Sequence, residues 1–527
     1  MFTGSHREAD IVIVGGGVGG VAAALAAAQA GKRVILTEDT DWIGGQLTSQ
    51  AVPPDEHPWI ERFGCTASYR RFRDGVRDYY RRNFPLTADA RATLELNPGN
   101  SIVSRITHEP RAALAVMRDM LAPYVHSGKL LLLERHSPVG AETDGDRIVS
   151  VTVRSEETGE ALVLTGTYFL DATEEGDLLP LAGVEYVTGA ESASETGEPH
   201  ALPGAADPTD MQAITWCFAM DHIEGADYTI PKPAEYDFWR SYKADFWPDR
   251  LLSWAGVVPH SLAPIQYGFF PDDGASFSLW KYRRLIDRTL FADGAFESDI
   301  TLVNWPQNDY WLGPIIDVPA DVRAQRLESA RQLSLSLLYW MQTEAPRPDG
   351  KVGYPGLRLR GDVTGTTDGL AKKPYIRESR RIRAVTTVLE QHLSPECRPD
   401  GKSLRYRDSV GIGCYRIDLH PSTAQRTYVD VSSLPFHIPL GSLLPVRVGN
   451  LLAAGKNIGT THITNGCYRL HPVEWNIGEA AGALAAYCLD RGAEPKAVQA
   501  DDDLLDAFQG RLRAQGVELD WPQTHSV

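Results

Sequence analysis

A glycine-rich turn near the N-terminus constrains this chain more than any other feature. Residues 10–14 form a β-branched run, the stretch GGGVGG follows, and the Ala-rich segment VAAALAAAQAGK comes next. This order predicts strand, tight turn and helix. Gly15, Gly17 and Gly20 have the GxGxxG spacing, in which the first glycine permits the turn and the second lets backbone approach a pyrophosphate. The third lets helix and strand pack closely.

The residues after this turn complete a βαβ pattern. A second strand is predicted at residues 33–37 and ends at Glu38, whose carboxylate falls where it can accept hydrogen bonds from an adenosine ribose. The start of the helix offers unpaired N–H groups and partial positive charge to a diphosphate. A glycine-rich loop alone is the alternative, but all parts of the fingerprint come in order within about thirty residues. The pattern predicts a Rossmann-type unit, which could bind either NAD or FAD.

Three later segments favour FAD. Gly44 and Gly45 form a small-residue turn that can approach a diphosphate or a flavin ring closely. Asp171 and Ala172 end an apolar strand, and a further strand is followed by Gly455 and the helix PVEWNIGEAAGALAAYCLDRG. The nucleotide fold is therefore predicted to reappear in three separated pieces.

These segments together resemble the glutathione-reductase-type flavoprotein superfamily, in its branch with an inserted substrate domain. WIGGQLTSQAVPP, RESRRI, DSVGIGCYRIDLHP and NLLAAGKNIGTTHITNGCYRLHP are similar to the family of FAD-dependent oxidoreductases, over almost the whole chain. The resemblance implies FAD and a redox reaction, but no substrate. It implies an α/β fold whose Rossmann-type FAD-binding domain is assembled from N-terminal, middle and C-terminal segments, at residues 1–184 and 409–527. An α+β substrate domain is inserted at residues 185–408.

The resemblance also implies which residues bind the cofactor. Carried over position by position, these are Gly15, Gly17, Gly20, Glu38, Gly44, Gly45, Gln46, Leu47, Asp171, Ala172, Gly455, Asn457, Asn476 and Ile477. Many relatives have an acidic residue directly after the position of Gly455, where this chain has Lys456; Asn457 or backbone is expected to replace that contact. Gly478 and Gly482 would let the helix PVEWNIGEAAGALAAYCLDRG approach either the cofactor or a neighbouring helix.

Two clusters offer catalytic side chains. DSVGIGCYRIDLHP contains Tyr415 and His420, and THITNGCYRLHPVEW contains His462, Arg469 and His471. A flavin enzyme must take a proton from its substrate while hydride leaves, and His or Tyr is the usual acceptor. The second cluster links two predicted flavin-facing segments, so we expect its residues near the ring.

Each of these residues has a structural alternative. His471 is either a general base oriented by Glu474 or a cap of the following helix. His420 is accompanied by Asp418, which favours a functional role. Arg469 either clamps an anionic group or the flavin C2 carbonyl, or forms a structural salt bridge.

The leading functional hypothesis is a dehydrogenase or oxidase that transfers hydride from a small polar metabolite to flavin N5. A sugar-like substrate is one interpretation, because Trp faces stack on pyranose rings, although the 12 Trp residues are equally typical of a core. A flavin-dependent monooxygenase and a non-catalytic binding protein on a flavoprotein fold are the alternatives. The electron acceptor is either O2 or a redox partner.

Composition and pattern exclude several other classes. A net charge of -17 would repel a nucleic-acid backbone. The sequence has no run of about 18 apolar residues, so we expect no membrane span. No apolar signal segment is visible ahead of the first strand, so we expect a cytoplasmic protein. The six cysteines are scattered without a CxxC pair, which predicts free thiols and no metal site.

Overall fold

The computed structural model describes residues 5–522 and 525–527 of the chain. Its strands are β1 (Ser5–Glu8), β2 (Ile11–Val14), β3 (Val34–Glu38), β4 (Leu130–Glu134), β5 (His136–Asp144), β6 (Arg147–Ser155), β7 (Ala161–Thr165), β8 (Tyr168–Asp171), β9 (Tyr186–Val187), β10 (Ile214–Thr215), β11 (Phe218–His222), β12 (Ala255–Val257), β13 (Pro264–Gln266), β14 (Arg284–Ile286), β15 (Ile300–Val303), β16 (Asp309–Tyr310), β17 (Leu357–Leu359), β18 (Arg381–Ile382), β19 (Ser409–Gly413), β20 (Ile417–Leu419), β21 (Val429–Val431), β22 (Phe436–Pro439) and β23 (Leu451–Ala453).

The helices are α1 (Val18–Gln29), α2 (Ala67–Asn83), α3 (Ala88–Ala92), α4 (Pro110–His126), α5 (Leu178–Leu181), α6 (Ala193–Thr196), α7 (Tyr236–Ser241), α8 (Leu279–Tyr282), α9 (Ala320–Thr343), α10 (Gly361–Thr364), α11 (His462–Tyr468), α12 (His471–Arg491), α13 (Pro495–Ala500) and α14 (Asp502–Ala514). Short 3-10 helices lie at Gly45–Leu47, Arg288–Leu290, Pro306–Asn308, Glu390–His392 and Leu440–Leu443.

A five-stranded parallel sheet forms the centre of the fold, in the order β23-β8-β2-β3-β4. Its strands are short apolar runs, and β2, β3, β8 and β23 are buried along their whole length, as parallel strands covered on both faces require. Asp171 pairs in register with Val14 and with Ala453. N-terminal, middle and C-terminal segments therefore meet in one sheet, which confirms the predicted α/β Rossmann-type fold.

Two helices with facing glycines pack on this sheet. A Cβ atom added to Gly478 of α12 would overlap the carbonyl oxygen of Gly19 in α1, and one added to Gly482 would overlap that of Ala23. Such close backbone approach needs glycine. Of the two expectations for these glycines, the structure therefore supports contact with a neighbouring helix.

The chain between the middle and C-terminal segments carries its own antiparallel sheet, in the order β14-β15-β11-β17. The 24-residue helix α9 packs against β17, and the hydrophobic core continues from Val14 of the central sheet to Leu337 of this helix. Sheet and helix agree with an α+β insertion, whereas the boundaries near residues 185 and 408 stay a prediction.

Neither a membrane span nor a metal cluster is found in the described part of the chain. Across residues 5–522 and 525–527, no helix is both long and apolar enough to cross a bilayer. Over the same ranges, no group of three or more His, Cys, Asp or Glu residues could hold a metal ion.

Candidate cofactor and substrate site

Glycines from two loops form a cradle at the carboxyl ends of the central strands. Gly15 has a φ of 99°, and a Cβ there would overlap the backbone of Ala172. The N–H of Gly44 donates to the carbonyl of Gly16 at 2.7 Å, which ties the second loop to the first. We call Gly15 to Gly17 together with Gly44 and Gly45 the glycine cradle. A cavity of about 190 Å³ opens beside it.

Glu38 lies on the wall of this cavity, at the end of β3. Its carboxylate accepts hydrogen bonds from the N–H groups of Gly16 at 3.2 Å and Thr40 at 2.9 Å. Burial and the neighbouring Asp39 carboxyl raise the pKa of Glu38 well above its ordinary value. The residue predicted to bind the ribose therefore borders the cavity and is also bonded to the glycine turn.

Asp171 connects the middle strand to the C-terminal loop. Its Oδ1 atom accepts from the N–H and hydroxyl of Thr173 at 3.0 and 2.7 Å, and burial raises the pKa of Asp171 to about 7. Its backbone carbonyl accepts from Nδ2 of Asn457 at 3.0 Å, while Oδ1 of Asn457 accepts from the N–H of Gly455 at 3.2 Å. Asn457 therefore fixes the loop at Gly455 from inside the protein.

Lys456 is buried next to the glycine cradle. Its ammonium pairs with Glu174 and lies 3.7 Å from Oε2 of Glu474. Burial raises the pKa of Glu474 to about 7, with the Glu174 carboxylate adding to the rise and Lys456 opposing it. Oε1 of Glu174 accepts no hydrogen bond from the described residues and would lie 2.7 Å from a Cβ on Gly17. A carboxylate oxygen thus projects into the cradle, whose glycines leave room for an anion.

Gln46 joins the cradle to the start of α12. It follows Gly45 directly, and its Nε2 atom donates to the carbonyl of Arg469 at 3.1 Å and contacts Glu474. Leu47, the next residue, is buried in the same 3-10 turn. Gln46 therefore links the cradle to the backbone at Arg469.

Helix α12 begins at His471, and Pro472 lies in its first turn, where proline is favoured. Asn476 and Ile477 consequently lie in the second turn, away from the free N–H groups. The Asn476 amide donates to the carbonyl of Val410 at 3.2 Å and accepts from the N–H of Ile412 at 3.3 Å. The polar atoms of Asn476 are bonded to β19, and cofactor contacts at Asn476 and Ile477 stay a prediction.

Two arginine–carboxylate pairs lie next to this junction. Arg283 pairs bidentately with Asp55 at 3.0 and 3.3 Å, and Arg469 contacts Asp418 at 3.2 Å. Arg469 also donates to the hydroxyl of Tyr375 at 3.1 Å. We call these five residues the arginine cluster. Sequence reasoning did not find Asp55, Arg283 or Tyr375; a charged residue inside an apolar stretch, as in WKYRRLI, is the signal that marks Arg283.

His420 is held by a buried carboxylate. Its Nδ1 atom lies 2.6 Å from Oδ2 of Asp309, and Nε2 lies 3.8 Å from Oδ2 of Asp418 in the arginine cluster. Burial opposes ionisation of Asp309, but Arg377 and His420 lower its pKa below the ordinary value. An ionised carboxylate only accepts, so Nδ1 carries the proton and Nε2 is the free acceptor. Asp309 and Arg377 were not predicted as site residues.

His471 has the opposite arrangement. The N–H of Asp55 donates to its Nδ1 atom at 3.1 Å, so the proton is on Nε2, which has no acceptor among the residues described. Burial lowers the pKa of His471 to about 3. Glu474, expected to orient this ring, contacts Gln46 and Lys456 instead. His471 is therefore a neutral hydrogen-bond donor at physiological pH.

Both ring nitrogens of His462 are bonded within the protein. Nε2 lies 3.2 Å from Nη2 of Arg426, and because arginine only donates, Nε2 accepts. Nδ1 donates to Oε2 of Glu378 at 2.9 Å. Burial opposes ionisation of Glu378, but His462 and Arg381 lower its pKa to about 2. Both ring nitrogens are thus engaged within the protein, and a catalytic role for His462 stays a prediction.

Tyr415 and the tryptophans are the remaining side chains for which the sequence suggests a role in substrate binding or catalysis. Burial, together with the Asp55 and Asp418 carboxylates, raises the pKa of Tyr415 well above its ordinary value, which keeps its hydroxyl protonated. All tryptophans except Trp59 and Trp521 are buried in the core. The structure therefore favours the core interpretation of the tryptophans over the sugar-stacking one.

Comparisons with known proteins identify a protein family that this chain matches. The sequence profile of the family described as FAD dependent oxidoreductase matches residues 10–512. Bilirubin reductase from Mediterraneibacter gnavus (strain CC55_001C) is 32% identical over 108 residues, which cover 20% of this chain and 16% of that protein. The matched part is well under two thirds of the relative's length.

Similarity to solved structures is low. A geranylgeranyl bacteriochlorophyll reductase-like protein from Thermoplasma acidophilum aligns over 97% of this chain and 85% of its own, at 9% identity and a TM-score of 0.35. Glycerol-3-phosphate dehydrogenase from Bacillus halodurans, complexed with FAD, aligns over 41% and 40% of the two chains, at 13% identity and a TM-score of 0.24. These TM-scores are too low for a comparison of sites.

The family match and the glycine cradle agree on the cofactor. An extended dinucleotide needs backbone that can approach its diphosphate, and the cradle supplies this at the end of β2. Because the family profile spans residues 10–512, the chain belongs to the FAD-dependent oxidoreductase family, and FAD is its cofactor.

Proposed function

We propose that this protein is a dehydrogenase or oxidase acting on a small polar metabolite, which it binds at the arginine cluster. The observation that carries this proposal is the position of Gln46, which follows the cradle glycine Gly45 and donates to the backbone of Arg469. A polar, largely buried group of side chains is thereby contiguous with the cofactor cradle. FAD, when bound, supplies the hydride acceptor.

His420 is the residue we assign to proton transfer. Asp309 orients its ring and leaves Nε2 free, which is the arrangement that a general base requires. As hydride leaves the substrate carbon, Nε2 takes the proton of the attached hydroxyl or amine, and the Asp309 carboxylate stabilises the imidazolium that forms. Asp418 lies 3.8 Å from Nε2 and links the base to Arg469.

The remaining predicted residues have supporting roles in this proposal. Arg469 and Tyr415 orient the polar groups of the substrate, and His471 donates from Nε2 to a carbonyl oxygen of cofactor or substrate. His462, bonded at both nitrogens, positions α11, the helix before α12. A substrate with several oxygen or nitrogen atoms suits a site lined by two arginines and their carboxylates.

The remaining cofactor contacts follow from the cradle. Gly15, Gly17, Gly44 and Gly45 would approach the diphosphate, Gly20 packs on the turn below, and Glu38 would bind the ribose. Ala172 would lie near the adenine side of the cofactor, and Gly455 and Asn457 would face its ribityl chain. The parallel sheet built from three chain segments supports placement of the protein in the glutathione-reductase-type superfamily. The six free thiols support a cytoplasmic location.

Anaerobic substrate screening tests this function. The holoprotein is mixed with polyols, hydroxy acids and amines, and we expect at least one class to bleach the flavin absorbance. Air or a dye is then added: reoxidation of the flavin by air indicates an oxidase, and reoxidation by the dye but not by air indicates a dehydrogenase.

Three outcomes contradict the proposal. The first is that no class reduces the FAD-loaded protein. The second is spectral trapping of an oxygen adduct after external reduction, which indicates a monooxygenase. The third is reoxidation of the photoreduced protein by bilirubin, the probe suggested by the related bilirubin reductase, with no reduction by any polar metabolite.

A further inference from the structure

The acidic loop after β8 places a carboxylate where the cofactor diphosphate is expected. The Glu174 side chain is 9% exposed and its Oε1 atom points between Gly17 and Gly45, so close that a Cβ on either glycine would clash with it. Oε1 accepts no hydrogen bond from residues 5–522 or 525–527. A buried carboxylate oxygen without a donor is costly, and it lies beside the N-terminus of α1, which favours negative charge.

Lys456 holds this carboxylate in the cradle. The Lys456 side chain is 1% exposed, and its ammonium forms ion pairs with Glu174 and, at 3.7 Å, with Glu474. A buried ammonium needs a carboxylate or phosphate partner. If an anionic ligand displaced Glu174 from the cradle, the ammonium would therefore lose one of its two carboxylate partners and need another anion in its place.

We propose that Glu174 occupies the diphosphate position of the cofactor-free protein and that FAD binding displaces it, transferring Lys456 from the Glu174 carboxylate to the cofactor. Carboxylate and diphosphate cannot share the cradle, because both are anions and the glycines leave room for one of them. The exchange makes Glu174 an internal competitor of FAD and Lys456 a cofactor-binding residue. It concerns cofactor binding alone and holds whatever the substrate is.

Binding of nucleotides to the cofactor-free protein tests this exchange. FAD, ADP and adenosine are titrated by calorimetry into the wild type, Glu174→Gln and Glu174→Asp. Glu174→Asp is the decisive variant, because it keeps the charge but withdraws the carboxylate from the cradle. We expect both variants to bind FAD and ADP about tenfold more tightly than the wild type, with unchanged affinity for adenosine, which has no phosphate.

Two further variants distinguish occupancy of the cradle by Glu174 from a long-range effect of negative charge on nucleotide binding. Glu175→Gln removes the same charge from the adjacent residue, whose carboxylate is paired bidentately with Arg323 at 2.7 and 2.8 Å; we expect less than half the effect of Glu174→Gln on the binding free energy of ADP. Lys456→Gln is expected to weaken FAD and ADP binding about tenfold.

The proposal is overturned if Glu174→Asp binds ADP no more tightly than the wild type, if adenosine gains as much as ADP, or if Lys456→Gln leaves both affinities unchanged. Should the Glu174 variants fail to fold, a crystal structure of the wild-type holoprotein decides. A Glu174 carboxylate outside the cradle supports the exchange, and one still between Gly17 and Gly45 refutes it.

Discussion

The Nδ1 atom of His420 lies 2.6 Å from Oδ2 of Asp309, although the two residues are 111 positions apart in the chain. The carboxylate fixes the tautomer of the ring, so that Nε2 is the atom left to accept a proton. Of the three histidines singled out from the sequence, His420 alone combines an ionised partner with a free acceptor nitrogen. This pair is therefore where we expect proton transfer.

Replacing His420 by Gln removes the proton acceptor. We expect the rate of flavin reduction by substrate to fall by about 10²–10⁴-fold, while the FAD content of the purified protein stays at the wild-type value. Stopped-flow absorbance measures the rate. His392→Gln is the control, since that ring bonds Tyr406 at 2.7 Å outside the site. Reduction of the His420 variant at the wild-type rate would show that another group accepts the proton.

Replacing His471 by Asn keeps an acceptor for the N–H of Asp55 but removes the Nε2 donor. Since the pKa of His471 is about 3, the ring stays neutral from pH 5 to pH 9. We therefore expect the reduction rate to fall about tenfold, with a pH profile of the same shape as that of the wild type. A profile that changes shape in this range would mean that His471 does titrate during turnover.

The strands and glycines of the cradle could be predicted because their signals are local. The GxGxxG spacing, the strand ends at Glu38 and Asp171, and the glycine at 455 each follow directly from neighbouring residues. The start of α12 is also a local feature, but Pro472 permits a first turn that begins one residue earlier than the proline.

Replacing Asp171 by Asn tests the raised pKa of this buried carboxyl. The folded protein binds the proton more tightly than the unfolded chain does, so the wild type loses stability as the pH rises from about 4 to about 7. A rise of the pKa from 3.8 to about 7 corresponds to about 4 kcal/mol of unfolding free energy. We expect the melting temperature of the variant, relative to the wild type, to increase over this pH range and level off above it. A difference independent of pH would contradict the assignment.

Adding a methyl group at Gly478 tests the contact between α1 and α12. The new Cβ would overlap the carbonyl of Gly19, so we expect Gly478→Ala to lose about 3 kcal/mol or more of stability and to lose FAD during purification. Gly510 is the matched control, since it lies inside α14 with nothing within 4 Å of an added Cβ. Gly510→Ala is expected to gain up to about 1 kcal/mol from helix propensity. Equal melting temperatures for the two variants would argue against the tight helix contact.

The residues of the proposed substrate site could be predicted only in part. His420, Arg469 and Tyr415 lie in recognisable motifs, but Asp309, Arg283 and Asp55 come from elements remote in sequence. No residue spacing brings such groups together; only the folding of the insertion onto the central sheet does. The acidic residues after Asp171 could be taken only for a solvated loop, because the buried position of Glu174 depends on Lys456 at the far end of the chain.

The contact between α1 and α12 also determines when, relative to synthesis of the chain, the cofactor can bind. A growing chain exposes its first helix, which is apolar and almost wholly buried in the finished protein, long before residues 451–491 leave the ribosome to cover it. Pairing between the two ends of a chain is slow and leaves apolar surface open to aggregation. Chaperones that shield this helix are therefore expected to govern the yield of active protein, and FAD to be captured only after residues 451–491 have emerged.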